Sequence, residues 1–280
     1  MALKKQLALK YVRAKFKILS SLSKRKAAEK AFELFCTPQT RTDKALPSIF
    51  ERSEKIEFAF KEDIVRGYRW NYPAQKKLLI LHGFESSVVN FDKYIEPLIK
   101  KGYEVLAFDA PAHGRSSGKT INAVVYKEFV QYICKNFGPV DSFLTHSFGG
   151  LALCLALEEI PHSDSTKIVL IAPAAETKTA IDQFFKLLKL ENDIRKEFDS
   201  IIEEVGGQLP DWYSVSRIAP KLKGQVLFLQ DKDDYMTPLL DVKPIMDKNY
   251  PNFQFIVSEG LGHRRIYRDD QTREKIIEFL

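Results

Sequence analysis

From residue 76 onward the chain repeats one pattern: a short apolar run, a polar break, then a stretch with helical spacing. The runs are Leu78–Leu81, Glu104–Phe108, Ser142–Thr145, Ile168–Ile171, Val226–Leu229 and Phe253–Val257. Helical stretches near 91–100, 121–137, 148–158 and 239–248 separate them, and one near 271–279 follows. Strands buried on two sides carry no polar alternation, so short apolar runs alternating with helices predict a mainly parallel sheet covered on both faces. Ahead of them, Lys55–Phe60 and Ile64–Trp70 do alternate. They predict a hairpin turned by Lys61-Glu62-Asp63.

Two parts fall outside this pattern. Leu3, Leu7, Tyr11, Ala14, Ile18 and Leu22 recur three or four residues apart, one face of a helix over 1–22. A second helix is expected from Lys24, capped by Ser23 and ended before Pro38. Residues 37–52 are polar, hold Pro38 and Pro47, and read as a surface linker, so 1–52 is expected to be an N-terminal helical extension and its linker. The second departure lies between the runs at 168–171 and 226–229, a gap far longer than the usual 2–6-residue αβ loop. Its residues 177–205 have helical spacing and cluster Phe184, Phe185, Leu187, Leu188 and Leu190. An insertion at about 174–222, forming a helical lid over the carboxyl edge of the sheet, is therefore expected within a domain over 53–280.

Charge alters the reading of the N-terminus alone. Residues 1–30 hold ten Lys and Arg against Glu29, a net of +9, which leaves −3 for the rest of a chain whose total is +6. The apolar stripe of the first helix is expected to pack on the body with its lysines in water. A peripheral contact of residues 1–22 with anionic lipid is the sharper alternative. No nucleic-acid reader motif accompanies the charge, so no nucleic-acid partner is expected. No apolar run reaches the length of a membrane span, and the longest near the N-terminus, Leu7-Ala8-Leu9, is too short for a signal-peptide core. Cys36, Cys134 and Cys154 lack metal or CxxC spacing, and Cys134 and Cys154, among apolar residues on expected helices, read as buried inert thiols, which fits a cytoplasmic location and no metal.

The chemistry concentrates at Thr145-His146-Ser147-Phe148-Gly149-Gly150, just after an apolar run. A strand that ends in serine and turns at once through small residues into a helix holds that hydroxyl exposed beside a helix N-terminus. A serine hydroxyl needs a general base and a group that orients the base. Among five histidines, His263 in Gly260-Leu261-Gly262-His263 follows the last strand and is the candidate base. Asp231, Asp233 and Asp234 follow the strand at 226–229 and are all candidate acids. The order Ser, Asp, His is that of one hydrolase class.

With these residues in place, the sequence resembles the α/β-hydrolase superfamily from about residue 54 to the end. His82-Gly83-Phe84 matches its His-Gly-x, and Asp109-Ala110-Pro111-Ala112-His113-Gly114-Arg115-Ser116 matches its Asp-x-Pro-x-x-Gly-x-Ser. The acid-loop pattern, laid on Asp231 to Pro238, selects Asp234. Two positions depart from it: Thr145 stands where the elbow usually has Gly or Ala, and Asp231 where the acid loop usually has Gly. The second departure leaves Asp231 and Asp233 as alternatives. The resemblance implies a mostly parallel sheet flanked by helices, a Ser147–His263–Asp234 triad, and an oxyanion hole made by the backbone N–H groups of Phe84 and Phe148. It implies no metal and no organic cofactor. The expected activity is cleavage of a small-molecule acyl ester, carboxylesterase- or lipase-like, through an acyl-enzyme on Ser147. A thioesterase or acyltransferase would use the same triad. A catalytically silent hydrolase-fold protein that binds a ligand or partner is the alternative from another class.

Overall fold

The computed structural model describes residues 2–41 and 45–280, and in the first helix the side chains from Gln6 onward. Leu3 of the apolar stripe and residues 42–44 of the linker thus fall outside the described side chains and residues. These residues form two compact units. One comprises the chain up to Thr37 with Glu176–Tyr213, and the other Pro38–Ala175 with Ser214–Leu280.

The larger unit is built on one eight-stranded sheet in the order β1-β2-β4-β3-β5-β6-β7-β8. Its strands are β1 (Glu54–Phe60), β2 (Asp63–Trp70), β3 (Lys76–Leu81), β4 (Tyr103–Phe108), β5 (Ser142–His146), β6 (Lys167–Ile171), β7 (Gln225–Asp231) and β8 (Phe253–Ser258). The β1–β2 hairpin joins β4 antiparallel, and every other pair is parallel. This is the α/β-hydrolase fold, and the apolar runs are its inner strands. Leu78 to Leu81 and Ile168 to Ile171 are fully buried, as strands covered on both faces must be. The helix after β5, Phe148–Leu157, is buried along almost its whole circumference from Gly149 onward, so it reads as hydrophobic all round. The strand order reverses at β3, with β4 on one side and β5 on the other, and this switch point opens a crevice at the carboxyl ends.

The stretch read as a surface linker ends in an anchor. Ser48–Arg52 forms a short 3-10 turn with Phe50 fully buried, its ring edge-on to Tyr68 at 4.8 Å and Trp70 at 5.1 Å. The Trp70 indole N–H donates to the Ile49 carbonyl at 2.8 Å. A single large apolar side chain in a polar stretch carries no period, so patterning passes over it.

The smaller unit joins segments far apart in sequence: α1 (Ala2–Leu22), α2 (Lys24–Phe35), α6 (Thr177–Leu188) and α7 (Asn192–Gly206). The numbering leaves α3 (Asp92–Lys100), α4 (Ala123–Phe137) and α5 (Phe148–Leu157), then α8 (Val215–Ile218), α9 (Leu239–Met246), α10 (Gly262–Arg265) and α11 (Asp270–Phe279), to the larger unit. Ser23 caps α2 by accepting the Lys26 amide at 3.2 Å. Ala27, Ala28 and Ala31 are fully buried, so the α2 backbone approaches α7 closely. The core of this unit is aromatic: Phe198 is fully buried, with Phe32, Phe35 and Phe185 edge-on around it at 5.7, 5.7 and 5.2 Å. Phe184 and Phe185 therefore serve helix packing, whereas Leu187 is exposed. Among the described residues no helix is long and apolar enough to cross a membrane.

The packing of α1 reverses the sequence expectation. Phe16 and Ser20 are buried, with Leu9, Val12 and Leu19 half-buried beside them. The stripe expected to pack points outward: Leu7, Tyr11, Ile18 and Leu22 are 57%, 71%, 65% and 78% exposed. The helix is apolar on two sides, and only one of them is packed.

Candidate active site

Ser147 sits between β5 and α5 with φ 54° and ψ −119°, a left-handed conformation that a non-glycine residue adopts only under constraint. The constraint is visible in its backbone bonds. Its N–H donates to Ile171 of β6 at 3.0 Å, and its carbonyl accepts from Gly150 at 2.9 Å and Ala174 at 3.1 Å. The turn is possible because its neighbours lack side chains. A Cβ on Gly149 would lie 2.6 Å from the Leu81 carbonyl oxygen, and one on Gly83 would lie 2.9 Å from Ser147 Cβ. Thr145, the unusual elbow residue, is fully buried, and its hydroxyl donates to the Val169 carbonyl at 2.9 Å. The β-branched side chain is thus accommodated by the sheet.

The structure brings Ser147, His263 and Asp234 together. His263 Nε2 lies 3.0 Å from Ser147 Oγ, and Nδ1 lies 2.7 Å from Asp234 Oδ2. A carboxylate only accepts, so the imidazole proton sits on Nδ1 and the Nε2 lone pair faces the serine hydroxyl. All three side chains are buried. Burial alone would raise the Asp234 carboxyl. The hydrogen bond and charge of His263, with the Thr237 amide and hydroxyl, more than offset it and hold the group below its ordinary range. Asp234 Oδ1 accepts the Met236 and Thr237 amides at 2.9 and 3.0 Å, and Oδ2 accepts the Thr237 hydroxyl at 2.7 Å.

The other two acids are occupied elsewhere. Asp231 accepts from Gly262 N–H at 2.9 Å, Leu261 N–H at 3.1 Å, the Ser258 hydroxyl at 2.6 Å and Asp233 N–H at 3.0 Å. It fastens the loop that carries His263 to the end of β7. Asp233 accepts the Gly260 amide at 2.8 Å and serves the same loop.

Of the residues expected to supply the oxyanion hole, Phe148 opens α5 directly after Ser147, and Phe84 follows Gly83, where an added Cβ would lie 2.9 Å from Ser147 Cβ. Their rings pack edge-on at 6.0 Å. Phe148 N–H also belongs to the first turn of a helix, where no intrahelical acceptor exists. The loop bearing Phe84 is pinned by histidines and a carboxylate. The Ala110 amide donates to His82 Nε2 at 3.0 Å, so the His82 proton lies on Nδ1 and is donated to the Gly83 carbonyl at 2.8 Å. His113 takes the Glu85 amide at 3.0 Å in the same way, and Asp109 takes the Val88 and Arg115 amides, each at 2.9 Å. Burial lowers His82 to about 4 and, with the charge of His82 added, His113 to about 3, so both stay neutral at pH 7.

His146 and Thr237 are functional neighbours that sequence reasoning did not assign. As the immediate neighbour of Ser147 on the strand, His146 directs its side chain away from the serine. Its Nε2–H donates to the His263 carbonyl at 3.0 Å, and its ring packs at a tilt against His263 and Tyr267, with centroids 4.7 and 4.3 Å away. Burial, then the charge of His263, lowers it to about 3, which keeps it neutral. Thr237, inside the acid-loop pattern, holds Asp234 through both its hydroxyl and its amide. No group of residues that could hold a metal ion occurs among the described residues.

A serine on a strained elbow, a histidine in hydrogen-bond reach and a carboxylate behind it, all at the carboxyl ends of one sheet, define an α/β hydrolase. A sequence model described as serine aminopeptidase, S33 matches residues 72–214, just over half of the chain, and the chain belongs to that family. It is 23% identical over 257 residues to the Bacillus subtilis protein YqkD, covering 82% of this chain and 81% of that one. A Mycoplasma pneumoniae protein named "Putative esterase/lipase 2" is 26% identical over 110 residues, 38% of this chain; the match spans only 40% of that protein's length. Among solved structures, the Pyrococcus furiosus esterase Pf2001 superposes with a TM-score of 0.64 at 21% identity, over 88% of this chain and 97% of its own. A membrane phospholipase A superposes with a TM-score of 0.61 at 14% identity, over 99% of this chain and 96% of its own. At such identities these structures bear on the fold alone.

Proposed function

We propose that this protein is a serine hydrolase that cleaves a small-molecule acyl ester through an acyl-enzyme on Ser147. The reading is carried by one observation, the continuous chain Ser147 Oγ–His263–Asp234 at 3.0 and 2.7 Å behind a strained elbow. His263 Nε2 takes the hydroxyl proton as Ser147 Oγ bonds to the carbonyl carbon. Asp234 keeps the imidazole in the reactive tautomer and stabilises the imidazolium that forms. The carbonyl oxygen becomes an anion between the Phe84 and Phe148 amides, each such donor contributing about 3–4 kcal/mol to the transition state. Collapse of this intermediate expels the alcohol, which takes the proton from His263. A water then gives one proton to His263 as its oxygen attacks the acyl carbon, and His263 returns that proton to Ser147 Oγ as the acid is released. No metal or organic cofactor is needed at any step.

The Mycoplasma pneumoniae relative named as an esterase/lipase supports an ester substrate, while the family described as serine aminopeptidases makes an amide the competing substrate of the test. Three free cysteines support a reducing, cytoplasmic setting, and burial pushes the Cys36, Cys134 and Cys154 thiols up to about 12, where they are inert. The test is labelling with a fluorophosphonate, followed by turnover of p-nitrophenyl acyl esters and aminoacyl anilides. Labelling confined to Ser147, lost in His263→Ala, with ester turnover exceeding anilide turnover, is the expected result. A folded protein that is not labelled would favour the silent, ligand-binding alternative.

A further inference from the structure

We propose that the outward face of α1 is a docking surface for an anionic lipid bilayer. At 100° per residue Leu7, Tyr11, Ile18 and Leu22 fall within an arc of about 60°, and all four are more than half exposed. A helix buries its apolar side or leaves it for a partner, and here a second apolar side is already used for packing through Phe16, with Leu9, Val12 and Leu19.

The charges around the stripe identify the occupant. Lys10 and Lys17 flank it on one side and Lys15 on the other, and among the described residues none of the three pairs with a carboxylate. By contrast, Arg13 on the packed side of α1 and the two basic residues that open α2 are engaged. Arg13 donates to the Leu187 carbonyl at 2.7 Å, Lys24 pairs with Glu191, and Arg25 pairs with Glu204. Beside α1 runs a groove of about 280 Å³ lined in part by Arg13, Lys17 and Lys189, where the sole lining carboxylate, Glu191, is the partner of Lys24. Apolar side chains along one line, with unpaired lysines at its borders, match a surface of acyl chains beneath phosphate headgroups: the side chains enter while the ammonium groups stay at headgroup level. A second copy of the chain would set one such lysine border against another, and like charge opposes that pairing. The proposal is independent of the chemistry at Ser147, because the binding is scored without substrate.

The test is co-sedimentation of the full chain with vesicles of phosphatidylcholine alone, and of equal parts phosphatidylcholine and phosphatidylglycerol. The expected result is binding to the anionic vesicles only, weakened by salt. It should fall about tenfold or more in the double variant Tyr11→Asp, Ile18→Asp and in the triple variant Lys10→Gln, Lys15→Gln, Lys17→Gln. Circular dichroism and the unfolding midpoint check that the variants keep their helices, since none of these positions is on the packed face. Binding that is absent, equal on neutral vesicles, or unchanged in the folded double variant would overturn the proposal. So would a dimer in solution that the double variant converts to monomer while vesicles bind neither form.

Discussion

The inner strands and the first helix are both rich in apolar residues, yet burial follows the pattern in one and contradicts it in the other. Ile168 to Ile171 has a single solution, because a strand within a covered sheet presents both faces to packed neighbours. The α1 helix offers two apolar sides at once, Leu9-Val12-Phe16-Leu19 and Leu7-Tyr11-Ile18-Leu22, and the partner decides between them. Phe16 and Ser20 are the residues that become buried, which turns the more regular stripe outward. Periodicity therefore establishes that an element has an inside, but it does not choose the inside when two sides qualify.

The sharpest way to test this contrast is to remove chemistry from the sheet unit while leaving its packing alone. Ser147→Ala should lower kcat on the best ester by roughly 10⁴- to 10⁶-fold, and Asp234→Asn by roughly 10³- to 10⁴-fold. Both would be read by steady-state kinetics and should leave the urea midpoint nearly unchanged. In the helical unit the reverse is expected. Phe198→Ala removes the ring on which Phe32, Phe35 and Phe185 converge, and should cost about 3–5 kcal/mol in chemical denaturation followed by helical circular dichroism.

A smaller effect is expected at His146, a positioning residue that touches the base only through its carbonyl. His146→Leu should lower kcat about tenfold to a hundredfold, the range of a lost buried hydrogen bond, with KM unchanged. A change in KM alone would assign it to substrate binding. The acid response of the sheet unit is read as stability against pH, on a different scale from the rate effects. His82, His113 and His146 are held neutral by burial, at about 4, 3 and 3, while the unfolded chain protonates them near 6.5. Between those values the unfolded state binds more protons, so stability is lost as pH falls below 6.5. Asp109, which burial raises to about 6, opposes this, since its folded form takes up a proton first. With three groups against one, urea midpoints should fall from pH 7 to pH 4.5, and His113→Gln should flatten the slope.

The strands were legible because their runs are short, apolar and punctuated, and Ser147 because small residues surround it in a strand-to-helix turn. The acid was not legible from the residues alone. Asp231, Asp233 and Asp234 are equivalent by spacing, and they separate only once the Asp231 oxygens are seen to hold Gly262, Leu261 and Ser258. His146 escaped because a side chain directed away from the serine looks idle until the loop it supports is folded against it. Phe50 and the union of α1 and α2 with α6 and α7 depend on contacts between distant segments, which no local period records.

The Asp231 clamp makes strand registration the adjustment screw of the catalytic base. β8 pairs with β7 so that Asp231 faces Ser258, and His263 follows only five positions later on a loop tied to that same carboxylate. A slip of two residues, which would keep every β8 side chain on its present face, would carry the loop about 7 Å along the sheet. That is more than twice the 3.0 Å that now separates His263 from Ser147. Residues of the last strand that never approach the substrate thereby govern proton transfer: whatever pins the edge of this sheet sets the reach of its imidazole.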